Sequence, residues 1–435
     1  MICYLLGTLT GWGWTTPAVG VLSILCLAVS LHDAKRMFQI VGSLFIAAGI
    51  ACVVWAGIPL QALPYLMTSN VMLISLLYML PFVNHVIRIG GYDRHMSRWL
   101  NVRKGHVGHL YARSLVVSYL LCLFLFFAAL PLLHRVLGKH FADKDRGFAN
   151  RFMAMSVLRG FGTVAVWNPV EPLVATAVLF TGVSYMALFP WMFGLSLALL
   201  AVGALLGLRF RRMPLAASEE AGANAPSWPK TLAFMAALVL LISLAAWLYI
   251  AADISFFAAM TLVLLPFSAV WAIVLKRFRR FCAVSRRQWR VSTDGLRHML
   301  VLFLSFGFFN SAVAKTPLLE QVEGPIQALS QSPLLLFAFI WAAGMVLPVL
   351  GIHPLVVMSL FGLVLQPVLQ VLSPLSVAIV LITSCLASSF MGTFNTTVTI
   401  MSGLIRVNPY RITLWNFGFA FIYGGMGIAL ALCLL

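Results

Sequence analysis

The sequence predicts an all-α polytopic membrane protein made of two inverted repeats. Three observations predict it. Apolar runs of about 17–25 residues, the length that crosses a bilayer, recur from end to end of a chain in which 62% of 435 residues are hydrophobic and 9% charged. Two of the apolar stretches are interrupted by glycine and polar residues in their middles, at 159–172 and at 388–397. Three short matches then recur in order at an offset of about 224 residues. Phe82-Val83-Asn84 matches Phe308-Phe309-Asn310, Pro131-Leu132 with Leu137-Gly138 matches Pro354-Leu355 with Phe361-Gly362, and Trp191-Met192-Phe193-Gly194 matches Trp415-Asn416-Phe417-Gly418.

The elements follow in chain order. Spans are predicted at Trp14–Leu31, Met37–Gly57 and Leu63–Ile87, followed by a basic loop, Arg88–Arg113. The opening residues, MICYLLGTLTG, carry neither a basic head nor a small-residue cleavage site, so no removable signal peptide is expected. Ser114–Leu137, with Ala128-Ala129-Leu130-Pro131 in its middle, is predicted to dip in and return as a hairpin. A broken helix follows at Met153–Val183, interrupted from Arg159 to Pro172, and a closing span at Met186–Leu208. The segment 209–230, with Arg211, Arg212, Glu219 and Glu220 among Ala, Gly, Ser and Pro, is predicted as a flexible cytoplasmic joint. It divides the chain into a first membrane repeat, 1–208, and a second, inverted repeat, 231–435.

The second half repeats the order. Its spans are Thr231–Ile250, Ile254–Leu275 and His298–Ala314, with a basic loop at Lys276–Arg297. Pro333–Leu365, bent at Gly351-Ile352-His353-Pro354, is the second hairpin. Leu375–Leu404 is the second broken helix and Ile412–Leu434 the closing span. Five crossings per half is an odd number, which inverts the second half. Charge placement agrees. With both termini outside, the inward segments 32–36, 88–113, 135–151, 209–230, 276–297 and 405–411 hold 27 of the 29 Lys and Arg residues. Outward segments hold Lys315 and the acids Glu320 and Glu323. This is the positive-inside pattern of a multi-pass protein of the plasma (inner) membrane. It also explains the net charge of +18 without nucleic acid.

The seven cysteines form no Cys-x-x-Cys pair and six lie in or at the ends of apolar spans, where they pack as small residues. No phosphate-binding glycine loop, metal-ligand cluster or nucleophile motif is present, so neither an enzyme nor a metal centre is expected. The candidate functional residues lie at the interruptions. Arg159 and Glu171 are the charged side chains placed well inside the membrane, and facing lipid there would cost several kcal/mol each. Both should face the interior, Arg159 toward an anionic group and Glu171 toward a proton or cation, or else toward each other as a brace. Ser388, Ser389, Thr393, Asn395, Thr396 and Thr397, with unwound carbonyls, suit Na⁺ or hydrogen bonds to a carboxylate. The same groups could instead satisfy the broken backbone. Asn168 lies in the first break. His353 sits at the second hairpin bend, where backbone amides cradle ions. Asn84 and Asn310, at matching places in the two halves, are candidates for the cation side of the same cavity.

The layout of three spans, a hairpin, a broken helix and a closing span, inverted between halves, resembles the ion transporter superfamily, which includes divalent anion/sodium symporters. The resemblance rests on Gly351-Ile352-His353-Pro354 and Gly392-Thr393-Phe394-Asn395-Thr396 and covers roughly 60–430. It implies an elevator-type secondary transporter, a homodimer, with its site between the two hairpin tips and the two helix breaks. The expected function is therefore secondary active transport of a small organic anion, coupled to Na⁺ or H⁺. Na⁺ is the one cofactor contemplated, and membrane lipid the other partner. The alternatives are a membrane enzyme or polymer-handling protein of envelope biosynthesis, a channel, and the membrane subunit of a binding-protein-dependent secondary transporter.

Overall fold

The computed structural model describes residues 1–100, 105–141, 145–210, 214–215, 227–317, 324 and 329–435. The predicted joint's Arg211, Arg212, Glu219 and Glu220, and the outward acids Glu320 and Glu323, lie outside the described residues.

In chain order the helices are α1 (Ile2–Thr10), α2 (Thr15–Asp33), α3 (Arg36–Trp55), α4 (Leu63–Leu66), α5 (Val71–Gly90), α6 (Tyr92–Ser97), α7 (Val107–Leu125), α8 (Ala129–Gly138), α9 (Arg146–Ala165) and α10 (Pro172–Thr181). They continue as α11 (Tyr185–Gly207), α12 (Trp228–Ala252), α13 (Phe256–Val274), α14 (Phe278–Val313), α15 (Pro333–Val349), α16 (Pro354–Val364), α17 (Pro374–Leu386), α18 (Ser388–Met391), α19 (Thr396–Ile405) and α20 (Pro409–Cys433). Gly105–His106 pairs with Pro214–Leu215 in a two-residue antiparallel ladder, and everything else regular in the described residues is helical. Nine helical stretches among them are long and apolar enough to cross a membrane. The protein is an all-α polytopic membrane protein.

Local chemistry starts these helices. Asp145 caps α9 by accepting from Phe148 N at 2.7 Å, and Ser184 caps α11 by accepting from Ala187 N at 3.2 Å. Proline occupies the first turn of α10, α15, α17 and α20, where its missing N–H is not needed.

The chain forms two compact units. One comprises Met1–Gly90, Val239–Ala328 and Leu363–Pro367; the other comprises Gly91–Leu238, Leu329–Gly362 and Val368–Leu435. Each unit draws on both halves of the sequence. The first unit packs α14 against α3 and α5. Gly42 lets α3 approach Val301 at 2.5 Å from an ideal Cβ position, and Asn70 donates to the Phe303 carbonyl at 3.0 Å. The second unit holds two successive runs of hairpin, broken helix and closing helix: α7–α11 and α15–α20. Its broken helices cross antiparallel, since α9 meets α18 and α19 whereas α10 meets α17.

Four details differ from the sequence expectation. The third predicted span is divided, because Met67–Asn70 leaves the helix between α4 and α5. There Ser69 and Asn70 turn their side chains onto the carbonyls of Gly307 and Phe303 in α14. The expected basic loop at Lys276–Arg297 is mostly the first part of the 36-residue helix α14. The arginines from Arg279 to Arg290 stay exposed while Phe281 and Ser285 pack inward, an amphipathic pattern that needs no loop. An N-terminal helix, α1, precedes the first predicted span. The first break is also shorter than expected: Arg159 through Thr163 are helical, and the interruption runs from 166 to 171.

Gly160 and Gly162 thus serve close packing, not unwinding. A Cβ at Gly160 would lie 2.6 Å from the Leu115 carbonyl oxygen, and one at Gly162 would overlap the Phe390 ring. Gly162→Ala is therefore expected to destabilise the second unit by about 1–3 kcal/mol. Gly403→Ala, on an open helical face, should be neutral or stabilising. Thermal unfolding of the purified variants in detergent compares them, and a Gly162→Ala melting temperature equal to wild type would refute the packing role.

Candidate functional site: two crossed helix breaks

The two breaks meet through aromatic side chains. Phe390, the third residue of α18, lies over Gly162 of α9 and packs against Phe419 and Tyr423 of α20, with ring centroids 5.3 and 5.1 Å apart. Tyr423 donates its hydroxyl proton to the Gly162 carbonyl at 2.8 Å. The segments 159–171 and 388–397 are therefore neighbours, as the inverted arrangement requires.

The first break is held by a polar network among aromatic rings. Trp167 donates its indole N–H to the Tyr119 hydroxyl at 2.7 Å, and that oxygen also bonds Ser196 at 2.8 Å. Tyr185 donates to the Trp167 carbonyl at 2.5 Å. Asn168 donates to the Leu123 carbonyl at 3.1 Å and accepts from Val170 N at 3.1 Å. Asn168 thus satisfies unwound backbone on two elements at once. Glu171 is buried at the N-terminus of α10, beside the Leu173 amide and within electrostatic reach of Tyr423. The N-terminal end of α10, with its partial positive charge, faces this carboxyl.

Arg159 is 3% exposed and forms no ion pair with Glu171. Its Nε donates to Asn416 Oδ1 at 2.9 Å, one terminal nitrogen to the Tyr111 hydroxyl at 3.1 Å and the other to the Trp415 carbonyl at 2.9 Å. The guanidinium carbon also stands 5.0 Å from the Phe419 ring centroid. Three of its five N–H donors are engaged by neutral dipoles that tie α9 to α7 and α20.

The second break is largely self-satisfying. Asn395 caps α19, its Oδ1 accepting from Thr397 N at 3.2 Å and from the Thr397 hydroxyl at 2.9 Å. Its amide donates to the Ser388 hydroxyl at 3.2 Å, which itself donates to the Cys385 carbonyl at 2.6 Å. The Thr397 hydroxyl also bonds the Ser389 carbonyl. Thr393 bonds Thr413 at 3.2 Å, and Thr413 donates to the Met391 carbonyl at 2.7 Å. The hydroxyls of Ser389 and Thr396 have no hydrogen-bond partner among the described residues, and neither does the buried Thr163 hydroxyl beside the first break.

The hairpin turns reach these helices. Phe127, at the turn between α7 and α8, stacks on Phe161 of α9 at 5.8 Å. At the second turn Gly351 has a φ of 106°, which favours glycine, and a Cβ there would lie 3.5 Å from Phe394. His353 accepts from Leu355 N at 3.2 Å at the start of α16. Asn84 and Asn310 belong to the first unit, on α5 and α14, and each has a buried amide oxygen with no partner among the described residues. All the other predicted site residues lie in the second unit.

No family model matches the sequence, and no curated protein matches it. Two solved transporter structures share this fold. The YdaH transporter of Alcanivorax borkumensis, described as having an unusual topology, superposes with a TM-score of 0.61 at 15% identity, over 90% of this chain and 98% of that one. MtrF of Neisseria gonorrhoeae, described as illuminating a class of antimetabolite efflux pumps, superposes with a TM-score of 0.59 at 12% identity, over 93% of this chain and 96% of that one.

Sequence reasoning missed Tyr111, Tyr119, Trp167, Asn416 and Tyr423. One signal for Asn416 was available. The matched motifs read Trp191-Met192 and Trp415-Asn416, so a polar residue stands in one copy where the other has a buried methionine. Arg159→Met should lower stability by roughly 2 kcal/mol, because Asn416 and the Trp415 carbonyl lose their donor. Asn416→Leu should cost a similar amount, and the double variant less than the sum. Additive losses in a thermal double-mutant cycle would show that the two side chains are not coupled.

Proposed function

We propose that the protein is a secondary active transporter of a small organic anion, driven by Na⁺ or H⁺. The observation that carries this reading is the pair of crossed, antiparallel helix breaks in one compact unit, with hydroxyls left over after the backbone has been satisfied. A discontinuous span places charged or partly charged helix ends near mid-membrane, where they bind solutes and ions. The two positive helix ends here are not equivalent. That of α10 already carries Glu171, whereas that of α19 is capped by the neutral Asn395. A substrate carboxylate is therefore best placed at the start of α19, against the hydroxyls of Ser389 and Thr396. Arg159 contributes positive potential and its two remaining N–H donors. Glu171 is the acidic group available to the coupling cation, with Thr397 and the Asn395 cap supplying further oxygens.

The fold likeness to a transporter and to an efflux pump supports this class over a membrane enzyme or a channel. With Arg159, Asn168, His353 and 388–397 all in one unit, elevator-type alternating access, in which one body carries the site, is the mode we favour. It is also what kinship with the divalent anion/sodium symporters would imply. The basic segments would face the cytoplasm across an inner membrane, in a homodimer.

The test is transport by purified protein in proteoliposomes, using labelled carboxylates with imposed Na⁺ or proton gradients. Ser389→Ala and Thr396→Val should each weaken apparent substrate affinity about tenfold, the worth of one hydrogen bond to a charged group. Asn395→Ala should abolish most transport by uncapping α19. Unchanged kinetics in the first two variants would remove the α19 end from the substrate site. Accumulation without either gradient would rule out the proposed coupling.

A further inference from the structure

A groove on the face of α7 turned away from the breaks is built for a different ligand. Arg113, Val116, Val117 and Leu120 recur at i, i+3, i+4 and i+7, so they share one face of α7. The opposite face is the one that packs on α9, through Ser118 donating to the Val157 carbonyl at 2.7 Å and the close approach at Gly160. The outward face lines a cavity of about 370 Å³ whose far wall is Trp99 and Trp228. The rings of these two tryptophans meet edge to face at 4.7 Å. Thr231 fixes that wall: it bonds His95 at 3.1 Å and accepts from the Trp99 indole at 3.3 Å.

The walls are apolar and the mouth is basic. Arg113 is exposed at the mouth and has no acidic or hydrogen-bonding partner among the described residues. Lys230, beside Thr231, stands 5.3 Å over the Tyr92 ring, and Arg98 adjoins Trp99 in the chain. The acid of this segment, Asp93, is turned onto its own helix through the Arg94 amide at 2.8 Å. Val116 and Trp228 remain exposed. Tryptophan pairs of this kind sit at the boundary between hydrocarbon and headgroup.

We propose that this groove is a binding site for one anionic phospholipid. An acyl chain lies along Val116, Val117 and Leu120 between α7 and the tryptophan wall, and the phosphodiester is held by Arg113 at the mouth, with Arg98 and Lys230 adding positive potential. A zwitterionic lipid is disfavoured, because no carboxylate among the described residues lines the groove to receive its ammonium group. The site is independent of the transport reading, since it uses none of the residues at the helix breaks.

The experiment is native mass spectrometry of the full chain in detergent, offered equal amounts of phosphatidylglycerol and phosphatidylcholine with the same acyl chains. Wild type should retain phosphatidylglycerol preferentially. Arg113→Ala should cut that preference about fivefold, the worth of one cation near an anionic headgroup. Val116→Trp should fill the groove and remove the adduct while leaving Arg113 in place. Equal retention of the two lipids would overturn the proposal, as would an unchanged preference in Arg113→Ala or an undiminished adduct in Val116→Trp. Displacement of the lipid by millimolar inorganic phosphate would also overturn it, by reducing the site to an ion site.

Discussion

Every backbone group freed at mid-membrane must find a partner inside the protein, and most of the second unit follows from that constraint. Hydrocarbon offers no hydrogen bonds, and an unsatisfied amide or carbonyl costs several kcal/mol there. The two breaks meet the requirement by different means. At 166–171 the partners are long-range: Tyr185 reaches the Trp167 carbonyl, and Asn168 bridges to the Leu123 carbonyl. At 392–395 most are local, through Asn395, Thr397 and Ser388, with Thr413 of α20 reaching the Met391 carbonyl. Ser389 and Thr396, whose hydroxyls have no partner among the described residues, belong to the second break, and the partnerless Thr163 hydroxyl stands beside the first.

Charge follows the same logic. Arg159 and Glu171 form no ion pair with each other, and each has its own set of neighbours. The guanidinium is surrounded by an amide oxygen, a hydroxyl, a carbonyl and an aromatic face. The carboxyl sits at a helix N-terminus beside a backbone amide. Dipoles fixed by helices cost little reorganisation when a nearby ion arrives or leaves, whereas a salt bridge would have to break.

Close packing sets the alignment. Phe390 can lie over α9 because Gly162 has no side chain, and Tyr423 can then reach the Gly162 carbonyl. The breaks are thus brought together by a glycine–aromatic contact between two otherwise unremarkable helices. Helix α7 shows a related division of labour, one face closing on α9 and the other lining the tryptophan-walled groove.

Much of the architecture was legible in the sequence alone. Span length and apolar content determined the membrane class, and the order of hairpin, broken helix and closing helix could be read from Gly, Pro and polar interruptions at Gly351–Pro354 and Gly392–Thr397. These signals are local, because helix length and backbone breakage depend on neighbours in the chain. What only tertiary structure decided is which interruption unwinds and which packs. Gly160 and Gly162 stay helical because Ser118 and Phe390 fill the space beside them, and Lys276–Arg297 is mostly helix because α5 covers one of its faces. The partners of Arg159 were equally hidden, for Asn416 and Tyr111 are far away in sequence and are brought to the guanidinium by the crossing of α9 with α7 and α20.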